Sequence, residues 1–372
     1  MKYQILSNKW RPQDFDHIIG HKYIIRIIKN SLDLKRIHQS WLFSGIHGVG
    51  KTTIARILAK SLNCSKGITS KPCRKCNNCI SIEKGKFLDF IELDAASRTK
   101  VEDIKIILDS TKYPPIQGRF KIYLIDEIHM LSKNSFNALL KILEEPPKYI
   151  KFILATTHFK KIPDTIISRC LHIHLPSITS KVISSYLDNK LKKEKIYTNQ
   201  ETLNTIAYYA RGSIRSAINT LELVICSTHG ASIEIKKINK LIGIFDKKNI
   251  LQLANSIITN NINKTLNILD YAEQTNIQYT NIITSLITFF HNLSIIKITT
   301  SKKEHKINKF SKYDINLYNL SKKILFKDIQ NYCKILLQGS KYLKYAPDPR
   351  IGIEIIFFQI YQHIQEKNNI LL

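Results

Sequence analysis

Apolar residues fall in short continuous runs over the first half of the chain and at helical spacing over the second. The runs are Trp41-Leu42-Phe43-Ser44, Phe87–Leu93, Phe120–Ile125, Phe152–Thr157 and Leu171–Leu175. Each is too short for a helix and predominantly apolar, which predicts buried parallel strands. Between them lie helical patterns. Ile54, Ile57 and Leu58 follow the first run; Phe136, Leu139, Leu140 and Leu143 share one face before Pro146-Pro147 stops them. Over residues 1–178 this alternation predicts a doubly wound α/β sheet, with ligands gathered at the carboxyl ends of its strands. Residues 179–243 read as three helices, with breaks near Tyr197–Gln200, at Arg211-Gly212-Ser213 and near His229-Gly230. Ser213 is placed to cap the last of them. From 244 to 372, Gly and Pro are absent until Gly339, and Ile250, Leu253, Ala254, Ile257 and Ile258 form a packed-helix stripe. This third region predicts a helical bundle.

Composition narrows the setting. The 372 residues carry 57 Lys+Arg against 29 Asp+Glu, a net charge of +28. That balance favours polyanions, although a Lys-, Asn- and Ile-rich composition raises lysine irrespective of ligand. The charge permits DNA binding without establishing it. The opening Met1-Lys2-Tyr3-Gln4-Ile5 has no apolar signal core, and no run approaches the about 18 apolar residues of a membrane span. Seven cysteines without a secretory signal imply a reducing, cytoplasmic setting in which clustered thiols read as metal ligands.

Three patterns carry chemistry. Gly45-Ile46-His47-Gly48-Val49-Gly50-Lys51-Thr52 fits G-x-x-x-x-G-K-[ST] between a strand and a helix. In that setting backbone N–H groups cradle a polyphosphate, Lys51 reaches its terminal phosphates and Thr52 ligates Mg²⁺. The run 120–125 ends in Asp126-Glu127, which suits Mg²⁺ coordination by Asp126 and polarisation of an attacking water by Glu127. Thr157, at the next strand end, is positioned to sense the γ-phosphate. Arg169, in Ser168-Arg169-Cys170, suits a finger reaching a neighbouring subunit's γ-phosphate. Arg215, just past Ser213, suits a phosphate contact from a lid. The third pattern is Cys64-x8-Cys73-x2-Cys76-x2-Cys79, a four-thiolate set for tetrahedral Zn²⁺. An iron–sulfur cluster is the competitor, since C-x2-C-x2-C also opens the ferredoxin run. That run continues x3-C-P, whereas Glu83-Lys84 stand here, which favours zinc. Cys170, Cys226 and Cys333 read as packed and isolated.

These segments resemble the gamma/tau subunits of the bacterial DNA polymerase III clamp loader, which are AAA+ ATPases. The resemblance is carried by Lys9-Trp10-Arg11-Pro12, Gly45–Thr52, the four cysteines, Asp94-Ala95-Ala96-Ser97-Arg98-Thr99-Lys100 and Tyr123–Glu127. It continues through Leu143-Glu144-Glu145-Pro146-Pro147, Ser168-Arg169-Cys170, Gly212-Ser213-Ile214-Arg215 and Tyr345-Ala346-Pro347-Asp348. It implies an AAA+ P-loop domain over 1–178 with a zinc module at about 64–79, a helical lid over 179–243 and a collar over 244–372. By the same resemblance Trp10 and Arg11 lie beside the adenine, Thr157 and Arg215 are the first and second sensors, and Arg169 is the finger. Arg98, Lys100 and Lys141 would face duplex phosphates. The implied cofactors are ATP, Mg²⁺ and Zn²⁺. The implied partners are delta, delta-prime and further copies of the chain in a heteropentameric ring, the beta sliding clamp and primer–template DNA, with no membrane. The family's activity is ATP-driven opening and loading of the clamp, as part of the polymerase holoenzyme but without a polymerase active site in this chain. Ser216 departs from the acidic residue usual after Arg215. The chain also ends after the collar, so the longer form's polymerase- and helicase-binding domains are not expected here. Two other readings remain: a clamp-loader scaffold that no longer hydrolyses ATP, and another AAA+ DNA motor such as a junction-migration motor.

Overall fold

Five strands form one wholly parallel sheet: β1 (Ser40–Ser44), β2 (Phe90–Asp94), β3 (Lys121–Asp126), β4 (Ile150–Thr156) and β5 (Leu171–His174), in the order β2-β3-β4-β1-β5. The structure, a computed structural model, describes residues 5–97, 101–227, 243, 245–275, 277–300, 320–322 and 324–370. It divides into two compact units, Met1–Ile233 and Glu234–Leu372. Every residue of β1 and β4 is buried, as a strand covered on both faces requires. At the edge only Ile173 of β5 is buried.

Two strand starts differ from the apolar runs by more than one residue, each because of one polar side chain. β2 starts at Phe90 rather than Phe87, because Asp89 turns the chain. Its buried carboxylate accepts hydrogen bonds from the backbone N–H groups of Ile116 at 2.8 Å, Gln117 at 2.7 Å and Gly118 at 2.6 Å. β4 starts at Ile150, two residues before the run at Phe152. Lys151 hides its start in the sequence, yet is buried, its ammonium 5.3 Å from the centre of the Phe120 ring.

Helices Lys51–Asn63 and Lys133–Glu144 flank the sheet. Phe136, Leu139 and Leu143 of the second are buried, while Leu140 is half-buried. Beyond the sheet, Ser180–Lys193, Gln200–Tyr209 and Ile214–Ser227 are the three helices expected. The chain turns between them through Lys195 (φ 59°) and then Arg211-Gly212 (φ 47° and 86°). Ser213 caps the third, its hydroxyl accepting from Ser216 N–H at 3.2 Å. The break expected near His229-Gly230 lies outside the described residues.

The second unit contains Lys247–Ile258, Ile262–Gln274, Tyr279–Thr300, Phe326–Tyr342 and Pro349–Ile370 among its described helices. Leu253, Ile257, Leu269, Leu286, Phe290, Leu336, Phe357 and Ile360 belong to one buried cluster. One expectation needs correction. Tyr279–Ile298, with mean hydropathy 1.3, is long and apolar enough to cross a membrane. Thr, Ser, Asn and His residues scattered along it break the apolar run in the sequence. Ile282, Ile283, Leu286, Phe289, Phe290 and Leu293 commit one face to the helical core, so we read it as a core helix.

Asp89 supplies a testable constraint on this sheet. Replacing it by Ala removes a charged acceptor shared by three backbone donors, and Asp89→Ala is expected to cost about 2–3 kcal/mol of stability. Urea unfolding of the purified protein measures this; a loss within experimental error would show that the turn holds itself.

Candidate active site

The turn after β1 is shaped by what its backbone can adopt. Gly45 N–H extends the ladder to the Thr156 carbonyl at 3.2 Å, after which the chain leaves the sheet through residues 46–50. Gly48 has φ 73°, and a Cβ there would sit 2.4 Å from the Ser213 hydroxyl oxygen and 2.9 Å from Cβ of Arg215. No side chain fits that gap. Gly50 (φ 115°) precedes helix Lys51–Asn63 without a side-chain cap, leaving the first N–H groups of the helix for an anion.

Lys51 is 5% exposed, and its ammonium donates to the carbonyls of Gly45 at 2.9 Å and Ile46 at 3.2 Å. Burial pulls its pKa down, while Glu127, 3.9 Å away, and Asp126 oppose that shift. Thr52 donates its hydroxyl to Asp126 Oδ2 at 2.7 Å, so the loop after β1 and the end of β3 meet. Glu127 follows with φ 50°, an uncommon conformation for a residue with a side chain. Its Oε2 accepts from Thr157 N–H at 3.0 Å and Thr157 hydroxyl at 2.8 Å, and lies 3.2 Å from His129 Nδ1. Burial lowers the His129 pKa; Glu127 resists and His158 adds to the drop.

These groups open onto one cleft. His47–Thr53 line its floor, Asp126 and Glu127 one end, and Trp10, Arg11, Pro12, Ile18 and Ile19 another wall. Tyr186, Ile214, Arg215 and Ile218 of the three-helix segment complete it. Burial depresses the pKa of the Arg11 guanidinium; Arg56 deepens the shift, Glu92 opposes it and Arg215 adds to it. Cationic groups thus converge from three separate parts of the chain. The Arg215 N–H meets the Gly48 carbonyl at 3.4 Å, which ties that segment to the loop.

Not every candidate residue joins the cleft. Thr157 acts on it only through Glu127. Arg169 is elsewhere, its guanidinium paired with Glu144 and donating to the Thr165 carbonyl at 2.7 Å. Lys141 is exposed on helix Lys133–Glu144, while Arg98 and Lys100 lie outside the described residues. Sequence reasoning missed Glu194, Tyr186 and Glu222. Glu194 accepts from Lys9 Nζ at 2.7 Å and Trp10 Nε1 at 3.2 Å. Tyr186 donates to the Trp10 carbonyl at 3.2 Å, and Glu222 accepts from Leu6 N–H at 3.0 Å. No local pattern marks contacts between segments so far apart in the chain.

The four expected cysteines form a second centre, with Sγ atoms all within 4.8 Å of one another. Four thiolates around one tetrahedral ion at about 2.3 Å have edges near 3.8 Å, so the donor set fits a single ion better than a wider multi-iron cluster. Backbone N–H groups of Cys73, Cys76 and Cys79 donate to the sulfurs of Cys64, Cys73 and Cys76 at 3.4, 3.4 and 3.5 Å. Burial works against the Cys76 thiolate, but hydrogen bonds from Ser65 and Cys79 outweigh it and hold the thiol at about 6. Burial pushes Cys79 up. Among the other cysteines, burial raises Cys170 to about 12. Cys226 is exposed near the end of its helix, not packed as expected.

Comparison with known proteins is consistent along the chain. The family described as DNA polymerase III, delta subunit, matches residues 20–179, and DNA polymerase III subunits gamma and tau domain III matches 233–369. DNA polymerase III subunit gamma of Buchnera aphidicola subsp. Baizongia pistaciae is 46% identical over 365 residues, 97% of each chain. DNA polymerase III subunit tau of Escherichia coli is 41% identical over 355 residues, 95% of this chain and 55% of that one. Among solved structures, the Thermotoga maritima RuvB Holliday junction branch migration motor superposes with a TM-score of 0.48 at 20% identity, over 67% of this chain and 79% of its own.

The cysteine centre makes a direct prediction. Metal analysis of purified protein should give one zinc per chain, retained until a strong chelator unfolds residues 64–79. Stoichiometric iron with acid-labile sulfide would replace the single-ion reading.

Proposed function

The chain belongs to the family of DNA polymerase III gamma/tau subunits, and on that footing we propose that it is the ATP-hydrolysing subunit of a clamp loader. The observation that carries this reading is the meeting of Lys51, Thr52, Asp126 and Glu127 in a single cleft, with Arg215 across the loop. In this reading Gly45, Ile46, His47, Gly48, Val49 and Gly50 cradle the phosphates with their backbone, and Lys51 exchanges carbonyl partners for phosphate oxygens. Thr52 and Asp126 would hold Mg²⁺, which neutralises charge on the phosphates when bound. Glu127 orients and polarises water once Thr157 and His129 release its carboxylate. Trp10 and Arg11 form the base end of the cleft.

Arg169 is assigned to a neighbouring subunit's nucleotide, because it does not line its own cleft and has only a half-exposed carboxylate and one backbone carbonyl to leave. The four cysteines hold a structural Zn²⁺. Around this chain we place delta, delta-prime and further copies in a ring, acting in the cytoplasm on the beta clamp and primed DNA. Lys141, with Arg98 and Lys100, is assigned to DNA phosphates, in keeping with the charge of +28. The intact Lys51-Thr52 and Asp126-Glu127 argue against a scaffold that no longer hydrolyses ATP. The gamma/tau matches argue against a junction-migration motor.

The direct test is ATPase activity of the assembled loader with clamp and primed DNA, and no stimulation by either would refute the loader reading. Lys51→Ala should weaken ATP binding and abolish hydrolysis; wild-type turnover in that variant would remove the assignment. Arg169→Ala should bind ATP normally as an isolated chain yet hydrolyse about 10³-fold more slowly within the ring. An unchanged rate would end the finger role.

A further inference from the structure

The cysteine centre borders the nucleotide cleft through a short stretch of chain. Residues 10–12 and 18–19 line the cleft, and residues 13–17 join them. The polar groups of that connector are held from the metal side. Arg74, between Cys73 and Cys76, reaches Asp14 Oδ2 with Nη1 at 3.1 Å. Asp14 in turn accepts from His17 N–H at 3.1 Å, closing the turn Phe15–His17, with Phe15 buried beneath it. Lys60, 1% exposed on the phosphate-loop helix, donates to the Gln13 carbonyl at 2.8 Å and Gln13 Oε1 at 2.7 Å. It lies 3.8 Å from Glu83 of the cysteine module's own helix.

The module is anchored equally well on its other side. Cys64 directly follows helix Lys51–Asn63 as its C-cap, and Asn78 Nδ2 donates to the Asn63 carbonyl at 2.9 Å. One end of the phosphate-loop helix thus presents Lys51 to the cleft, while the other carries a metal ligand. The module spans from that far end back to the connector of the cleft's opposite wall. A bound ion would fix Cys73 and Cys76, and with them the backbone from which Arg74 projects at φ 61°.

We propose that the metal module is a buttress for the base-binding wall of the nucleotide cleft. Arg74, Asp14, Gln13 and Lys60 are the positioning residues that transmit its rigidity to Trp10–Pro12 and Ile18-Ile19. The proposal rests on the nucleotide reading of the cleft and adds a task for the metal beyond holding its own loop together. The three-helix segment grips the same wall from the other side, through Glu194 on Lys9 and Trp10. With both holds in place, the wall is set before a base arrives, and binding spends less on ordering it.

The test compares ATP with inorganic tripolyphosphate, which engages the phosphate loop but has no base, by equilibrium titration of the zinc-loaded full chain. Wild-type protein should bind both; if it binds neither, the nucleotide reading itself fails. Arg74→Ala and Asp14→Asn should each raise the Kd for ATP about threefold, the scale of one partly exposed ion pair. The double variant should be no weaker than the worse single one, and Arg74→Lys should recover most of the loss. Tripolyphosphate affinity should not change in any of them. Equal loss for both ligands, or no loss for ATP with zinc retained, would overturn the proposal. If Arg74→Ala sheds zinc, Asp14→Asn and Gln13→Ala, which lie outside the module, decide by the same comparison.

Discussion

A lysine ammonium buried at the end of a parallel sheet is the constraint on which the site depends. Taking Lys51 out of water costs several kcal/mol unless partners converge on it. The partners come from its own loop, through the carbonyls of Gly45 and Ile46, and from Glu127 at the end of β3. β3 and β1 are not neighbours; β4 runs between them. That order lets Thr52 and Asp126 bond across the end of β4 and brings Thr157, just beyond β4, onto Glu127. A different strand order would leave the ammonium without carboxylates and Glu127 without Thr157.

The second wall of the cleft is not independent of the first. Gly48 leaves no room for a Cβ against Ser213 and Arg215, so the phosphate loop and the three-helix segment fit each other at van der Waals distance. The same segment holds the N-terminal arm through Glu194, Tyr186 and Glu222. Any shift of these helices must therefore alter the loop, the arm, or both. That coupling supports the proposal that the segment is a lid over the cleft.

What could be read in the sequence was what short spacing encodes. The phosphate loop and the four cysteines are local patterns whose meaning survives without a fold, and the strands declare themselves by short, predominantly apolar runs. Lys151 and Asp89 displaced the strand boundaries because each is a charged residue whose burial depends on partners far away in sequence: the Phe120 ring for one, three backbone donors for the other. Tyr279–Thr300 went unnoticed as an apolar helix because its polar residues are spread evenly. Glu194 follows a lysine-rich helix, and no local pattern singles it out. Its role as the shared acceptor of Lys9 and Trp10 exists only once the chain has closed on itself.

Arg169 follows from the same reasoning about partners. It stands just before β5, the edge strand beside β1, and its nearest carboxylate is the half-exposed Glu144. An exposed ion pair of this kind contributes at most about 1 kcal/mol. A guanidinium meeting phosphate oxygens makes shorter, charge-assisted and bidentate bonds, which are stronger. The exchange is therefore downhill wherever a neighbour's phosphates come within reach, and costs little to undo when they leave. An arginine held by several carboxylates at once could not behave this way. Arg350 in the second unit, held by Asp270, Glu273 and Glu354 together, illustrates the contrast. The weakness of the Arg169 pair is what suits it to the role proposed for it on another subunit, whereas the Arg350 cluster ties two helices of the second unit together.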